Sequence, residues 1–290
     1  MLCSQIQKST TVIQYINNGV PSPLANGFFV SADDRSYLVT CRHVVQRVIG
    51  NRPHTLEEPN QKTESLFLKL KDRNNQKFCD YRLALFDSTN KRRWRSFLDV
   101  GRVWDVAILE LDWEETAGFD IKPWTEEEFL PAGTNLEPDE QIIVFTHPEE
   151  YGDNPIPYDF PARIAPQEIQ ILAGSEGAVI TDTQSIYRGA SGSLVYRVFD
   201  TFDLTASNVT ADAEAQLVGV FTGAPRDIPS LGLFHYIETA AAIIHSDKDC
   251  LDEDGLEMDD GLDSIHPLRK QLTKGWLDGL LVKSRNHSKS

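Results

Sequence analysis

The chain has 290 residues, 40% hydrophobic and 25% charged, a globular composition that excludes a largely disordered polymer. Its formal net charge of -16, from 28 Lys and Arg against 44 Asp and Glu, opposes polyphosphate and anionic lipid, so no nucleic acid and no membrane is expected as a partner. No apolar run reaches the about 18–20 residues of a membrane-spanning helix. The first eleven residues lack the basic and apolar regions of a secretory signal, so a cytoplasmic location is expected.

Taken in order, the first two-thirds reads as short strands separated by turn chemistry. Gly27 to Ser31 and Ser36 to Cys41 flank Ala-Asp-Asp-Arg, the pattern of a hairpin with a polar tip. Ser65–Lys71 turns at Asp72 to Asn75 and returns through Cys79 to Leu85, and Val103 to Leu111 is a further strong strand. A Pro-punctuated connection runs from Lys122 to Gly133. A second strand set then begins at Gln141 to Phe145 and includes Gly192 to Tyr196 and Ala215 to Phe221. Two sets of short strands around a mid-chain linker predict an all-β protein of two barrels or sandwiches. An Ala-rich helix is expected over Ile237 to His245. The expected organisation is 1–118 as the first β unit, 119–135 as linker and 136–246 as the second β unit with its helix.

Two segments follow. Residues 247–263 hold nine carboxylates against the single cation Lys248, a net -8 that is half of the whole charge. An EF-hand register fails here: aligning on Gly255 puts Cys250 at the first ligand position, and aligning on Gly261 puts Leu256 and Met258 at the first two. The segment therefore reads as an acidic linker. Residues 264–290 reverse the sign, with six Lys and Arg against Asp278, and Leu268, Leu272, Trp276 and Leu280 recur at amphipathic-helix spacing. This basic tail is expected to dock on the body or on a regulatory protein partner. The cysteines Cys3, Cys41, Cys79 and Cys250 show no metal-like spacing, so free thiols are expected, with no metal and no cofactor. The run Lys91-Arg-Arg-Trp-Arg95 reads either as recognition of an acidic surface or as a solvated hairpin.

Three motifs stand in the order His, Asp, Ser: Thr40-Cys-Arg-His43-Val-Val45, Asp105-Val-Ala-Ile-Leu109 and Gly189-Ala-Ser191-Gly-Ser193. That order is one of the chain orders in which a nucleophilic triad is built. His43 and Asp105 fall in the first strand set and Ser191 in the second, the arrangement of a site in a cleft between two β units.

With these motifs the chain resembles a trypsin-like serine peptidase of the chymotrypsin double-barrel fold, closer in its motifs to bacterial intracellular members than to the secreted digestive enzymes. Gly-Phe-Phe-Val followed by Leu-Val-Thr-x-x-His-Val-Val is similar to the family's histidine signature. Asp-Val-Ala-Ile-Leu-Glu-Leu resembles its aspartate strand, and Gly-x-Ser-Gly-Ser its nucleophile loop. Leu217 to Gly223 is similar to its substrate-pairing strand and Ile237 to His245 to its C-terminal helix. The resemblance covers about residues 10–246. It implies two six-stranded antiparallel barrels with a C-terminal helix, and a serine endopeptidase acting on a protein or peptide substrate.

It also implies roles. His43 is the general base, Asp105 orients it, Ser191 is the nucleophile, and the N–H groups of Gly189 and Ser191 form the oxyanion hole. Ser185 falls at the base of the P1 pocket, Ile186 and Tyr187 line it, and Phe221 and Gly223 lie on the substrate strand. A serine at the base disfavours strictly basic P1 residues. Ala190 stands where secreted relatives often carry the Asp that pairs with a newly cleaved N-terminus, so activation without such cleavage is expected. The competing expectation is a catalytically silent module of the same fold that scaffolds a partner. An esterase, or a peptidase dedicated to one protein, is a third.

Overall fold

The computed structural model describes residues 2–17, 20–50, 65–89, 91–99, 102–147, 157–167, 169, 177–181, 189–198, 214–224 and 230–246. The acidic segment 247–263, the basic tail 264–290 and the pocket candidates Ser185, Ile186 and Tyr187 lie outside them. No helix among the described residues is long and apolar enough to cross a membrane.

Helix α1 (Leu2–Lys8) leads into β1 (Thr10–Asn17), which pairs with β2 (Val20–Ala32) on one side and β4 (Ser65–Lys71) on the other. β1 does not stand out in the sequence because Thr10, Thr11, Val12, Ile13 and Gln14 are all buried. A strand covered on both faces loses the alternation that marks a half-exposed one. The expected hairpin joins β2 to β3 (Arg35–Thr40). Its tip holds Asp33 at φ 48° and Asp34 at φ 60°, the two left-handed positions of a two-residue turn whose twist matches the strands.

Helix α2 (Arg42–Gly50) follows at once, where the sequence suggested only the end of a strand. Val44 and Val45 are buried and Val48 packs on the core, one apolar face of two turns. β5 (Phe78–Ala84), β6 (Trp94–Asp99) and β7 (Arg102–Leu111) complete the antiparallel run in the spatial order β5-β4-β1-β2-β3-β7-β6. The short helix α3 (Trp113–Thr116) is capped by Asp112, whose side chain accepts from the Glu114 and Glu115 amides. The two-residue strand β8 (Trp124–Thr125) then joins β2 in parallel at Val30 and Ser31.

This first half departs from the expected six-stranded barrel. It has eight strands, and among the described residues their path runs open from β5 to β6. The connection between halves supplies one of the two additional strands. Trp124 is fully buried, and its indole N–H donates to Ser9 Oγ at 2.9 Å, so the linker is tied into the first sheet.

The second half meets the expectation. β9 (Gln141–Thr146), β10 (Tyr158–Ile164), β11 (Gly177–Thr181), β12 (Ser193–Val198), β13 (Ala215–Gly223) and β14 (Leu231–Tyr236) close into a barrel in the order β10-β11-β14-β13-β12-β9. The rings of Phe160 and Phe221 meet edge to face inside it, 6.1 Å between centroids. Helix α4 (Ile237–Ile244) leaves the barrel and packs back on β6 and β7 of the first half. One contiguous core, from Ile13 and Phe28 to Phe234 and Ile243, runs through both halves. The fold is therefore all-β apart from its few short helices.

Candidate active site

Both oxygens of one carboxylate set the first part of the site. Asp105, near the start of β7, accepts the His43 backbone N–H through Oδ1 at 2.9 Å and faces His43 Nδ1 through Oδ2 at 2.6 Å. His43 lies in the first turn of α2, where backbone amides have no intrahelical acceptor, so the carboxylate meets one such donor as well as the imidazole. A carboxylate accepts only, so Nδ1 carries the proton and Nε2 keeps its lone pair outward. About a third of each side chain remains exposed, at 29% and 31%, so the pair is reached from solvent.

Asp105 is itself held from the second half. Its N–H donates to Nε2 of His235 on β14 at 3.2 Å, and the His235 ring stacks on Trp104 at 5.8 Å. Nothing in the sequence singled out His235.

The loop that carries Ser191 sits between β11 and β12. Gly189 and Gly192 have φ of +83° and +79°, the left-handed region that L side chains rarely adopt. At Gly192 a Cβ would lie 2.0 Å from the Asn26 carbonyl and 2.6 Å from Thr40 Oγ1, so the loop backbone presses directly on β2. The Ser191 hydroxyl donates to the Thr222 carbonyl at 3.2 Å. A bulge in β13 between Phe221 and Gly223 takes Thr222 out of the ladder and turns its carbonyl to the serine.

Asn26, midway along β2, ties these parts together. Its backbone N–H donates to the Ser191 carbonyl at 2.8 Å, and its carbonyl accepts from Thr40 Oγ1 at 2.8 Å. Its side-chain Nδ2 donates to the Gly189 carbonyl at 2.6 Å and to Thr146 Oγ1 at 3.1 Å, while Oδ1 accepts the His147 amide at 2.8 Å. One buried residue thus holds carbonyls on both sides of Ala190, Gly189 through its side chain and Ser191 through its backbone. Ala190 is itself buried and carries no carboxylate. The Phe221 carbonyl adds a second tie, accepting the Gly192 N–H at 2.7 Å and the Cys41 thiol at 3.3 Å. The strand that leads to His43 and the loop that carries Ser191 therefore converge on one carbonyl.

Of the predicted substrate residues, Phe221 is fully buried with its ring in the barrel, and Gly223 is half-buried at φ +143° beside the Ser191 hydroxyl. Cys41, His43 and Asp105 bring donor atoms within 4.8 Å of one another. Burial first, then the Asp105 charge, pushes the Cys41 thiol well above its ordinary value. A metal needs the thiolate and a free imidazole nitrogen, whereas here the thiol stays protonated and Nδ1 already serves Asp105. The cluster reads as an oriented histidine over a core thiol. Cys41 and Cys79 are free thiols, as the sequence suggested.

The sequence profile of the trypsin-like peptidase domain matches residues 25–200, from the strand before His43 to the strand after Ser191. The chain belongs to the trypsin-like peptidase family. Among solved structures, the active form of the Rv3671c protease from M. tuberculosis is 17% identical, with 84% of this chain and 82% of that chain covered and a TM-score of 0.43. Deg5 is 15% identical, covering 84% and 93% with a TM-score of 0.48. An inactivated protease paralogue of the scabies mite is 15% identical, covering 83% and 94% at 0.47. No curated protein matches the chain.

Proposed function

We propose that this trypsin-like peptidase is a serine endopeptidase that cleaves a dedicated protein substrate through an acyl-enzyme. The observation that carries the reading is the two-oxygen grip of Asp105 on His43, which leaves Nε2 as a base facing the cleft. Rotation of the Ser191 side chain away from the Thr222 carbonyl would present Oγ to Nε2. Nε2 takes the hydroxyl proton as Oγ bonds to the scissile carbonyl carbon, and the resulting imidazolium is stabilised by Asp105. The negative charge that develops on the carbonyl oxygen is met by the N–H groups of Gly189 and Ser191. Collapse breaks the C–N bond, and the proton passes from Nε2 to the leaving amine. Water then repeats the sequence on the ester, with His43 again as base, and frees Ser191.

The Asn26 bracket supports an oxyanion site formed without the Asp that Ala190 replaces. Activation would then need no cleaved N-terminus. The strand Leu217 to Gly223, with Thr222 and Gly223 open at the site, would align the substrate, and Ser185, Ile186 and Tyr187 would form the P1 pocket. We place this chemistry in the cytoplasm, with the basic tail 264–290 as the contact for a regulatory protein. Cleavage of a peptide library diverse at P1 tests the reading: turnover abolished by Ser191→Ala is expected. A folded wild type that cleaves nothing in the library favours the silent binding module instead.

A further inference from the structure

A basic cleft on the first half is unaccounted for by the peptidase reading. It has a volume of about 470 Å³ and is lined by Arg35, Lys91, Arg92, Arg93 and Arg95 together with Glu110, Leu111 and Asp112. Five cations against two carboxylates make its wall net positive, in a chain whose net charge is -16. The acidic wall residues have other duties. Glu110 meets Arg35 at 3.3 Å, and Asp112 caps α3. Nearby Asp87 accepts the Thr89 and Lys91 amides at the turn into the basic run. Two of the four guanidinium groups lie over aromatic rings: Arg92 is 5.0 Å from the centre of Trp94, and Arg95 5.9 Å from Tyr37. These two are thereby positioned in the wall, while Arg35 and Lys91 reach into solvent.

The path of the chain points to the occupant. Arg95, a wall residue, donates to the Ile244 carbonyl at 3.3 Å at the end of α4. His245 lies 3.5 Å from Asp33, in the turn that leads to Arg35, and also meets Glu126. Helix α4 therefore ends at the rim of the cleft, and the third residue beyond it is Asp247, first of the nine carboxylates in 247–263. At about 3.3–3.6 Å per residue, the eight positions from Asp247 to Asp254 span roughly 25 Å, enough to cross the cleft.

We propose that this cleft is a binding site for acidic polypeptide and that its occupant is the chain's own segment 247–263. Complementary charge held at an effective concentration set by a linker of a few residues favours the intramolecular partner over a separate one. The proposal stands apart from the peptidase reading, since none of its residues is assigned to the triad.

Zero-length carbodiimide coupling on the full chain tests it, because Lys91 is the one amine in the cleft wall among the described residues. Expected is a Lys91 cross-link to a carboxylate of 247–263 within monomeric protein. Its yield should fall roughly tenfold in 1 M NaCl, where the Debye length shrinks to about 3 Å. It should fall as far in the variant Asp252→Asn, Glu253→Gln, Asp254→Asn, whose changes lie outside the β units. Arg92→Glu with Arg93→Glu should abolish it in protein that keeps the wild-type near-ultraviolet circular dichroism. Absence of the cross-link in folded wild type, or indifference to both salt and segment neutralisation, overturns the proposal. A cross-link confined to dimers also overturns it, in favour of a second copy.

Discussion

The two halves of the molecule build their parts of the site in opposite ways. The first half supplies both members of its histidine–aspartate pair: His43 and Asp105, 62 positions apart, sit on adjoining elements and meet through one carboxylate. The second half holds the Ser191 loop only in part, through the Phe221 and Thr222 carbonyls. Ser191 and Gly189 are fixed by Asn26, 163 positions from Gly189 and on the other sheet. Asp105 in turn takes support from His235 of the second half. In the proposed mechanism, the pair that would move a proton comes from one half, whereas the group that would attack and the amides that would stabilise charge depend on how the halves meet. Damage to the first should affect chemistry alone, and damage to the second chemistry and stability together.

The largest effect expected on the first side is from Asp105→Asn. An amide in place of the carboxylate offers Nδ1 one acceptor and one donor, so the useful tautomer is no longer enforced. A kcat lower by about 10⁴-fold with KM little changed is the expected result. Steady-state kinetics beside a urea titration checks it, and the unfolding midpoint should barely move. A large loss of stability in this variant would break the distinction between the halves.

Asn26→Ala probes the other side. It withdraws the donor from the Gly189 carbonyl and the acceptor from the His147 amide, both at a buried junction. Loss of oxyanion geometry is expected to lower kcat by about 10²–10³-fold. Unsatisfied buried groups should lower stability by about 1–3 kcal/mol in the same urea titration. Asn26→Asp keeps the size but aims a carboxylate at the Gly189 carbonyl, so it should not rescue kcat. A variant with normal kcat would show that the loop holds its own shape.

A smaller, pH-dependent effect belongs to His147 at the same junction. Thr10 Oγ1 donates toward the Ile6 and Gln7 carbonyls, so His147 Nε2 donates to Thr10 at 3.2 Å and Nδ1 is left without a proton in the interior. Burial depresses its pKa to about 4. The folded form therefore stays neutral while the unfolded chain binds a proton below about 6.5. Stability should fall as pH drops from 6.5 to 4, by up to about 3 kcal/mol from this group. Urea titrations between pH 7 and pH 4 on wild type and His147→Gln check it: the variant should lose this part of the slope.

How much of this was legible in the sequence follows from the range of each interaction. The hairpin at Asp33 and Asp34, strand β7 and helix α4 announce themselves through turn residues and runs of apolar side chains. The three chemical residues stood out because each sits in a short motif. Asn26 and His235 act through partners more than a hundred positions away, and no local pattern marks them. Helix α2 was hidden because the adjacent Val44 and Val45 look like a strand and the helix offers only two turns of pattern. The expected pair of six-stranded barrels failed in the first half because β1, buried on both faces, and β8, two residues long, have no alternation to read.

The central claim is that Ser191 is the activated nucleophile. Incubation of the full chain with a fluorophosphonate, followed by intact-mass and peptide mass spectrometry, tests it most directly. One adduct per chain, on Ser191, absent in Ser191→Ala and formed far more slowly in Asp105→Asn, is the result predicted. Folded wild-type protein that remains unmodified, or is modified at another residue, would contradict it.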